Sequence, residues 1–291
     1  MNNFMNNLID ELRDKYNKFY KDNNFNISPT VWNNNTNYIK NSFNINFRGE
    51  NAYVWQCQLG DNRNTYIEYY KILKNIDKED FFMKTKEDGS YGCIFFEIEN
   101  IKISRDLLDS ILEIYYLKTI FPDLEKMNLL EIGAGYGRLC KRFKDCFPGS
   151  KYYITDAIPE STIFSKIYLS KDNEDNEATE DMIINLFDIE TKLKDLNINM
   201  AINIHSFPEC NINDVEWWVK LICTNKIKYI FYVPNNPHSN PDYMPDNRGE
   251  SILDIYTKYG YKIKDFKNMY NILKIKYSYI VPFFILENNN F

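Results

Sequence analysis

Three glycines spaced two apart, Gly133, Gly135 and Gly137, have the clearest chemical signature in the sequence. They follow the apolar run Leu129–Ile132 and precede residues with helical spacing, so the sequence predicts a buried strand, a tight turn and a helix. Glycines let a ligand approach the backbone closely, and the N-terminus of the helix offers unpaired N–H groups. The pattern therefore predicts a site for a nucleotide-like cofactor at the end of this strand.

The spacing of the glycines argues against a dinucleotide. That fingerprint has a glycine or small residue three positions after the second glycine, and here the position is Arg138. Instead, with Glu131 in front, the turn reads E-x-G-x-G-x-G, which resembles the first motif of class I S-adenosylmethionine (SAM) methyltransferases. The resemblance implies SAM as the cofactor and places Glu131 near its methionine amino group. The turn residues that it assigns to the cofactor are Gly133, Ala134, Gly135, Tyr136 and Gly137.

Carboxylates also follow the next two predicted strands. Asp156 stands where it can accept hydrogen bonds from both ribose hydroxyls, at a distance along the chain set by one strand–helix–strand crossover. The alternative is an aspartate that caps the next helix. Its neighbours Ala157 and Ile158 belong to the same predicted cofactor site. The resemblance assigns the adenine amino group to Asp188 and the adenine ring to Phe187, with helix capping by Asp188 as the alternative.

The fourth predicted strand ends in a polar cluster, at the edge of the sheet where open α/β proteins bind ligands. Asn203 and His205 are assigned to the cofactor site and Ser206 to the acceptor. The chain has two histidines, His205 and His238, and each follows a predicted strand. Because histidine is the commonest general base, His205 is predicted as the base, with His238 as the other candidate. Glu209 is predicted to orient the base or bind the acceptor. A buried structural histidine and a carboxylate at a helix entrance are the alternatives.

Two segments narrow the resemblance further. Asn203–Glu209 and Asp156–Thr162 resemble a bacterial family described as sugar O-methyltransferases, over roughly residues 103 to 235, and Pro208 departs from the family pattern. This implies methyl transfer to a hydroxyl of a sugar, a sugar nucleotide or a glycan unit, in the biosynthesis of a surface polysaccharide. Two alternatives stay open: methylation of an amine or carboxylate on another small molecule, and an inactive SAM-binding partner subunit.

The loop of residues 234–249 is long and rich in hydrogen-bonding groups, which is typical of functional loops. Tyr243 could stack on a sugar, and Arg248 could pair with an acidic or phosphate group of a sugar nucleotide, with an ordinary surface loop as the alternative for each residue. Glu209, Asp242 and Asp246 could supply oxygen ligands to Mg²⁺. Their spacing does not require a metal, and none is predicted.

Composition limits the classes of partner. The formal net charge of -6 and the pI of about 5.2 argue against nonspecific binding to the phosphates of nucleic acid. No two of the six cysteines have C-x-x-C spacing, so no zinc site is predicted. No leader sequence or membrane-length apolar run is evident, which favours a cytoplasmic protein with reduced thiols. Assembly into a homo-oligomer is left open.

The alternation of short apolar runs with helical patterns from residue 128 predicts parallel βαβ units and a Rossmann-like α/β sheet. We expect an N-terminal, mainly helical cap over residues 1–122 and a SAM-binding domain over residues 123–291. In the cap, a helix over residues 4–20, a hairpin of residues 80–83 with 93–98, and a helix from Ser104 to about residue 120 are expected. The predicted strands are residues 128–133, 151–155, 182–187, 199–205 and 227–233, then an antiparallel pair at 261–266 and 277–286. Six aromatic residues of the cap suit either acceptor stacking or a packed core: Trp32, Tyr53, Trp55, Tyr66, Tyr69 and Tyr70.

Overall fold

A computed structural model describes residues 2–25, 46–49, 63–171, 180–269, 273 and 281–291. Within this part of the chain the helices are α1 (Asn2–Asp22), α2 (Arg63–Ile76), α3 (Phe81–Lys84), α4 (Arg105–Ile120), α5 (Arg138–Cys146), α6 (Pro159–Leu169), α7 (Ile189–Leu196), α8 (Ile212–Thr224) and α9 (Ile252–Lys258). The strands are β1 (Phe95–Ile98), β2 (Ile101–Ser104), β3 (Leu129–Ile132), β4 (Tyr152–Thr155), β5 (Met200–Ile204), β6 (Tyr229–Val233), β7 (Tyr261–Lys267) and β8 (Phe283–Asn288).

Six strands form one mixed sheet in the order β4-β3-β5-β6-β8-β7. Strands β4, β3, β5 and β6 pair in parallel, whereas β8 runs antiparallel to both β6 and β7. This is the Rossmann-like α/β arrangement that the sequence predicts, with the last strand antiparallel. The strand order reverses between β3 and β5, because the chain passes from β3 outward to β4 and then returns to β5. Ligands bind at such a switch point in open α/β sheets.

The sheet is buried on both faces. One face packs against α2, α4, α5 and α6, and the other packs against α1, α7, α8 and α9. Every residue of β3 and β5 is buried, as expected for parallel strands covered by helices on both sides. The apolar core on the face covered by α2, α4, α5 and α6 is continuous. It includes Tyr66 and Tyr69 of α2 together with Leu129 of β3, so the N-terminal helices share a core with the sheet.

Two helices predicted from local sequence patterns are present in the structure. Ser104 accepts a hydrogen bond from the Leu107 amide at 3.2 Å and caps α4, which ends at Ile120 as predicted. The helix predicted over residues 4–20 is α1. The proposed boundary between residues 122 and 123 stays a prediction. Of the aromatic residues of the cap, Tyr66, Tyr69 and Tyr70 are buried core residues, and Trp32, Tyr53 and Trp55 lie outside the described residues.

The predicted hairpin of residues 80–83 with 93–98 is wrong. Phe81–Lys84 is a short helix, because both carboxylate oxygens of Asp77 accept hydrogen bonds from the backbone amides of Phe81 and Phe82. Strand β1 pairs instead with β2.

Two strand predictions need correction as well. The strand expected over residues 182–187 is reduced to one parallel bridge, between Ile154 and Ile183, after which the chain turns into a 3-10 helix. The final strand begins at Phe283, and the predicted residues 277–280 lie outside the described ones.

Candidate functional site

The switch point is closed by a tight contact between the ends of β3 and β5. Gly133 has φ +77°, and a Cβ atom placed on it would lie 2.1 Å from Ser206 Oγ. Asn203 Nδ2 donates to the Ile132 carbonyl at 2.9 Å, and Asn203 Oδ1 accepts from the Phe207 amide at 3.0 Å. The polar groups of Asn203 and Ser206, which the sequence assigns to cofactor and acceptor, thus hold the two strand ends together.

The glycine turn is fixed to the neighbouring strand β4. The amides of Gly133 and Ala134 donate to the Thr155 carbonyl at 2.9 Å and 3.2 Å. Gly135 and Gly137 have φ values of +60° and +81°, which suit glycine far better than other residues. Helix α5 begins immediately after the turn, so its N-terminal N–H groups lie at the switch point, as a nucleotide-like ligand requires.

Asp156 lies beside the glycine turn. Its Oδ2 accepts from the Gly135 amide and its Oδ1 from the Ile158 amide, both at 2.8 Å. Burial raises the pKa of this carboxyl to about 6, against the opposing effect of these hydrogen bonds and one from Ser161. A carboxylate has about four acceptor positions, so about one remains for a ribose hydroxyl after these three bonds.

The residues predicted to meet adenine lie close to helix α1. Asp188 precedes α7 but makes no side-chain capping bond, and its Oδ2 accepts from Asn185 Nδ2 at 3.3 Å. The Phe187 ring lies edge-on to the Tyr16 ring at a centroid distance of 5.6 Å. Lys15 Nζ stands 5.7 Å from the centre of the Phe187 ring.

Two tyrosines of helix α1 make hydrogen bonds in this region. Tyr16 is fully buried, and its hydroxyl hydrogen bonds to Thr162 Oγ1 at 2.9 Å and accepts from the Leu186 amide at 3.3 Å. Tyr20 donates its hydroxyl to the Ala157 carbonyl. Helix α1 therefore joins the segment after β4 to the 3-10 helix that follows the Ile183 bridge.

Glu131 is buried in β3, where its Oε2 accepts from the Tyr152 hydroxyl at 3.0 Å. Desolvation raises the pKa of this carboxyl to about 8, with Arg138 acting in the opposite direction. Glu131 is therefore protonated at neutral pH in this structure. A cation such as an amino group brought beside it would favour the ionised form.

His205 follows β5 with φ +64°, in the left-handed region that non-glycine residues rarely adopt. Its Nδ1 lies 3.1 Å from the Pro234 carbonyl oxygen, which can only accept, so Nδ1 carries the proton. The Asn235 side chain also hydrogen bonds to the ring. Burial, together with the positive charges of Arg105 and Arg138, lowers the pKa of His205 to about 3. The imidazole is therefore neutral, with Nε2 unprotonated.

His205 lines a cleft with about 340 Å³ of empty volume, part of it open to solvent. The lining includes the apolar side chains of Leu112, Val233, Met269, Val281 and Phe283. Its polar side chains, here called the polar wall, come from α2 and α4: Tyr69, Arg105, Asp109 and Glu113. The cleft therefore offers both polar and apolar groups to a ligand.

The polar wall is internally paired. Arg105 Nε donates to Asp109 Oδ2 at 3.1 Å, and Tyr69 donates to Asp109 Oδ1 at 3.2 Å. Arg138, the first residue of α5, holds both oxygens of Glu113, at 2.8 Å and 3.0 Å. The Arg138–Glu113 pair thus connects the glycine turn to the cleft. Tyr69 is one of the aromatic residues predicted for acceptor stacking or a packed core, whereas Arg105, Asp109 and Glu113 were not predicted as site residues. Helical spacing on α4 is the one signal that could have grouped these three.

The other residues predicted for catalysis or acceptor binding do not line this cleft. His238 is exposed, and so is Tyr243, at 50% of its surface. Arg248 donates to the Cys210 carbonyl at 3.1 Å and pairs with Asp246 at 3.5 Å. Glu209 Oε1 accepts from Asn235 Nδ2 at 3.2 Å. Asn235 directly follows Pro234, whose carbonyl oxygen lies beside His205 Nδ1. Their assigned roles stay predictions.

No protein-family model matches the sequence, and no curated protein matches it either. Among solved structures, the magnesium protoporphyrin IX methyltransferase ChlM from Synechocystis PCC 6803, solved with bound SAM, is similar at 10% identity and a TM-score of 0.43. The match covers 76% of this chain and 95% of that one. The mitomycin 7-O-methyltransferase MmcR is similar at 13% identity and a TM-score of 0.41, over 82% of this chain and 69% of that one.

The methyltransferase domain of bacterial CtHen1 is similar at 14% identity and a TM-score of 0.40, over 61% of this chain and 95% of that one. These three TM-scores lie below 0.5. In the described part of the chain, no helix combines the length and the apolar character needed to cross a bilayer. The site is thus defined by its own geometry: a glycine turn and a strand-end carboxylate at the switch point, beside a cleft lined by a neutral histidine.

Proposed function

We propose that this protein is a SAM-dependent O-methyltransferase whose acceptor is a hydroxyl of a sugar, a sugar nucleotide or a glycan unit. The observation that carries the proposal is the direct hydrogen bond from the Gly135 amide to the Asp156 carboxylate at the switch point. It joins the two elements that the sequence motif assigns to one cofactor. The sugar assignment is supported by the resemblance of the segments around Asp156 and His205, and by the polar wall of the cleft.

The residues present fit SAM. The acceptor position left on Asp156 suits one ribose hydroxyl, and Phe187 with Asp188 offers an apolar ring and a carboxylate for adenine. Glu131, buried and protonated without a ligand, can become the counter-ion of the methionine amino group. When bound, SAM supplies a methyl group activated by its sulfonium.

His205 is placed to manage the proton of the acceptor hydroxyl. Since Nδ1–H donates to Pro234, Nε2 carries the lone pair that would accept from that hydroxyl. Since its pKa is lowered to about 3, the imidazole is available as a base throughout the neutral range, but it is a weak one. It therefore takes the proton only as the oxygen becomes acidic during bond formation. Alignment of the acceptor in the cleft supplies the remaining catalysis.

Calorimetric titration with SAM and with S-adenosylhomocysteine tests the cofactor, and Asp156→Asn is expected to weaken both affinities at least about tenfold. An exposed carboxylate, Asp123, provides the matched control variant Asp123→Asn. Absence of binding to either compound would refute the methyltransferase and would also refute an inactive SAM-binding subunit.

The acceptor is tested with methyl-labelled SAM and a panel of nucleotide sugars. We expect label in a sugar hydroxyl, with strong loss of turnover in His205→Ala and little change in His238→Ala, because His238 is exposed and outside the cleft. Transfer to an amine or carboxylate panel, with none to any sugar, would refute the sugar assignment and favour the alternative small-molecule enzyme.

A further inference from the structure

A buried network of side chains ties the glycine turn to the N-terminal part of the chain. The Tyr136 hydroxyl donates to Asp106 Oδ2 at 2.6 Å, and Arg48 Nη2 donates to the same oxygen at 2.6 Å. Tyr136 is 4% exposed and Arg48 is fully buried. Three segments that are far apart in sequence therefore meet at one carboxylate oxygen.

Tyr136 is the residue of the turn whose side chain can control its shape. It stands between Gly135 and Gly137, both in the left-handed region, and glycine has the greatest backbone freedom of any residue. The backbone on either side of Tyr136 therefore resists displacement only weakly. The Tyr136 ring packs against Tyr168 at a centroid distance of 5.2 Å, and its hydroxyl is held by Asp106, so side-chain contacts fix the turn.

Arg48 supplies the counter-charge that keeps Asp106 in place. Its Nη2 also donates to Glu87 Oε2 at 2.8 Å, and its guanidinium lies 4.8 Å from the centre of the Tyr168 ring. Arg142 of α5 donates to the same Glu87 oxygen at 2.7 Å. The two arginines balance the two carboxylates, which makes the burial of these four charges tolerable.

In this cluster an arginine side chain, rather than a metal ion, contacts the acidic and thiol groups. Glu87, Cys93 and Asp106 offer ligand atoms within 4.8 Å of one another, which alone would resemble a metal site. Arg48 donates to all three, to Cys93 Sγ at 3.3 Å. The Arg48 guanidinium therefore occupies the position that a metal ion would need.

Phe47, the residue before Arg48, helps to hold Arg48 in its position in the fold. The Phe47 ring stacks on Phe164 of α6 at 4.6 Å and on Tyr91 at 4.8 Å. The Arg48 amide also donates to the Tyr91 carbonyl at 2.9 Å. Phe47 and Arg48 thus dock as a unit onto the side of the glycine turn that faces α4 and α6.

We propose that Arg48 and Asp106 are positioning residues for the cofactor: they hold the Tyr136 side chain, and through it the glycine turn, in the binding conformation. The cofactor part of this inference rests on the proposed function. It follows that cofactor affinity depends on contacts made by residues 47 and 48, which precede the turn by almost ninety residues. Loss of the Tyr136–Asp106 bond should loosen the turn while the sheet remains intact.

The test uses Tyr136→Phe in the full chain, with Tyr261→Phe as the matched control. Tyr261 is also a buried tyrosine, and its hydroxyl donates to the Ile227 carbonyl at 2.6 Å, away from the turn. Calorimetry should show the affinities for SAM and S-adenosylhomocysteine reduced about 10- to 100-fold in Tyr136→Phe, the range for losing a hydrogen bond to a charged group. Tyr261→Phe should bind as the wild type does, with a similar loss in thermal stability.

A milder variant tests Arg48 itself. Arg48→Lys keeps the charge but loses the forked geometry, so it should weaken SAM binding in the same direction. Arg63→Lys is its control, because Arg63 is exposed and donates to the Glu97 carbonyl at 3.0 Å. Wild-type affinity in both Tyr136→Phe and Arg48→Lys would overturn the proposal.

Amide hydrogen exchange separates this proposal from the proposed function. Without any ligand, the Gly135 and Gly137 amides, which donate to Asp156 and to the Ala134 carbonyl, should exchange at least about tenfold faster in Tyr136→Phe than in Tyr261→Phe. If the wild type binds no SAM but the exchange rates change as expected, the cofactor is wrong and the positioning role stands. Unchanged exchange at both glycines would refute the positioning role, whatever the cofactor.

Discussion

Replacing Gly133 by alanine should destabilise the protein strongly, because the residue sits at the closest approach of β3 and β5. The new Cβ would lie 2.1 Å from Ser206 Oγ and 2.4 Å from Ser206 Cβ, with φ at +77°. The left-handed conformation costs a non-glycine residue about 1–2 kcal/mol, and overpacking a buried contact costs ~1–3 kcal/mol. Together we expect a loss of about 2–5 kcal/mol from the free energy of unfolding, a large part of the total for most domains.

Gly149 provides the control for the backbone contribution. Its φ is +88°, but a Cβ there would meet no atom within 4 Å. Gly149→Ala should therefore lose only the conformational part, about 1–2 kcal/mol. Urea unfolding followed by circular dichroism and tryptophan fluorescence gives both values, and Trp218, which is 2% exposed, reports on the core beneath α8.

The steric part can be isolated with Ser206→Gly, which removes both atoms that the new methyl group would meet. The double variant Gly133→Ala with Ser206→Gly should be more stable than the sum of the two single changes predicts, by about 1–3 kcal/mol. The reasoning fails if Gly133→Ala costs no more than Gly149→Ala, or if the double variant shows no such coupling.

Three further predictions concern protonation and helix capping. Burial raises the pKa of Glu131 to about 8, so the folded state keeps a proton that the unfolded state loses above pH ~4.5. Wild-type stability should fall relative to Glu131→Gln as pH rises from about 4.5 to 8, by roughly 5 kcal/mol in all, and level off above pH 8; parallel curves from urea unfolding would contradict this. Because the pKa of His205 is lowered to about 3, NMR titration of a His238→Gln variant should show no imidazole midpoint between about pH 5 and 8. Ser104→Ala should cost about 1–2 kcal/mol, more than Ser251→Ala at the exposed cap of α9, since the Ser104 hydroxyl also donates to buried Glu87; equal losses in urea unfolding would argue against it.

The features that follow from local physics are the ones predictable from the sequence. The strand, glycine turn and helix around Gly133, the cap at Ser104 and the alternation of strands and helices each depend on residues close together in the chain. The parallel βαβ units and the antiparallel closing pair were predicted as well, but the order of the strands in the sheet was not. Asp156 could be placed beside the turn, because one crossover fixes where its strand ends.

Local patterns failed where two signals competed. Asp88-Gly89 is typical of a hairpin turn, but Glu99 and Asn100 make the actual turn, with φ of +52° and +65°. Asp88 is committed to other contacts, including one from Arg48 Nη1 at 3.3 Å. The apolar run near Ile183 forms one bridge rather than a strand.

The remaining site features depend on contacts between distant segments, which a sequence pattern does not reveal. Arg48 and Tyr136 meet at Asp106, and the periodicity of the chain gives no sign of it. Nor does the composition of α1 indicate that Tyr16 reaches the Leu186 amide. The histidines show the same limit: both follow predicted strands, yet only His205 lines the described cleft.

The position of β8 in the sheet affects how the protein is made in the cell. Strand β8 lies between β6 and β7 although it follows both in the chain, so a nascent chain exposes one edge of β6 until residues 283–288 have been synthesised. Val281 and Phe283, which line the cleft, arrive at the same late moment. An unpaired, apolar strand edge readily pairs with other chains. The interval between the synthesis of β6 and that of β8 is therefore one in which the chain is prone to aggregate, and a ribosome stalled in that interval would hold a chain with an unfinished cleft.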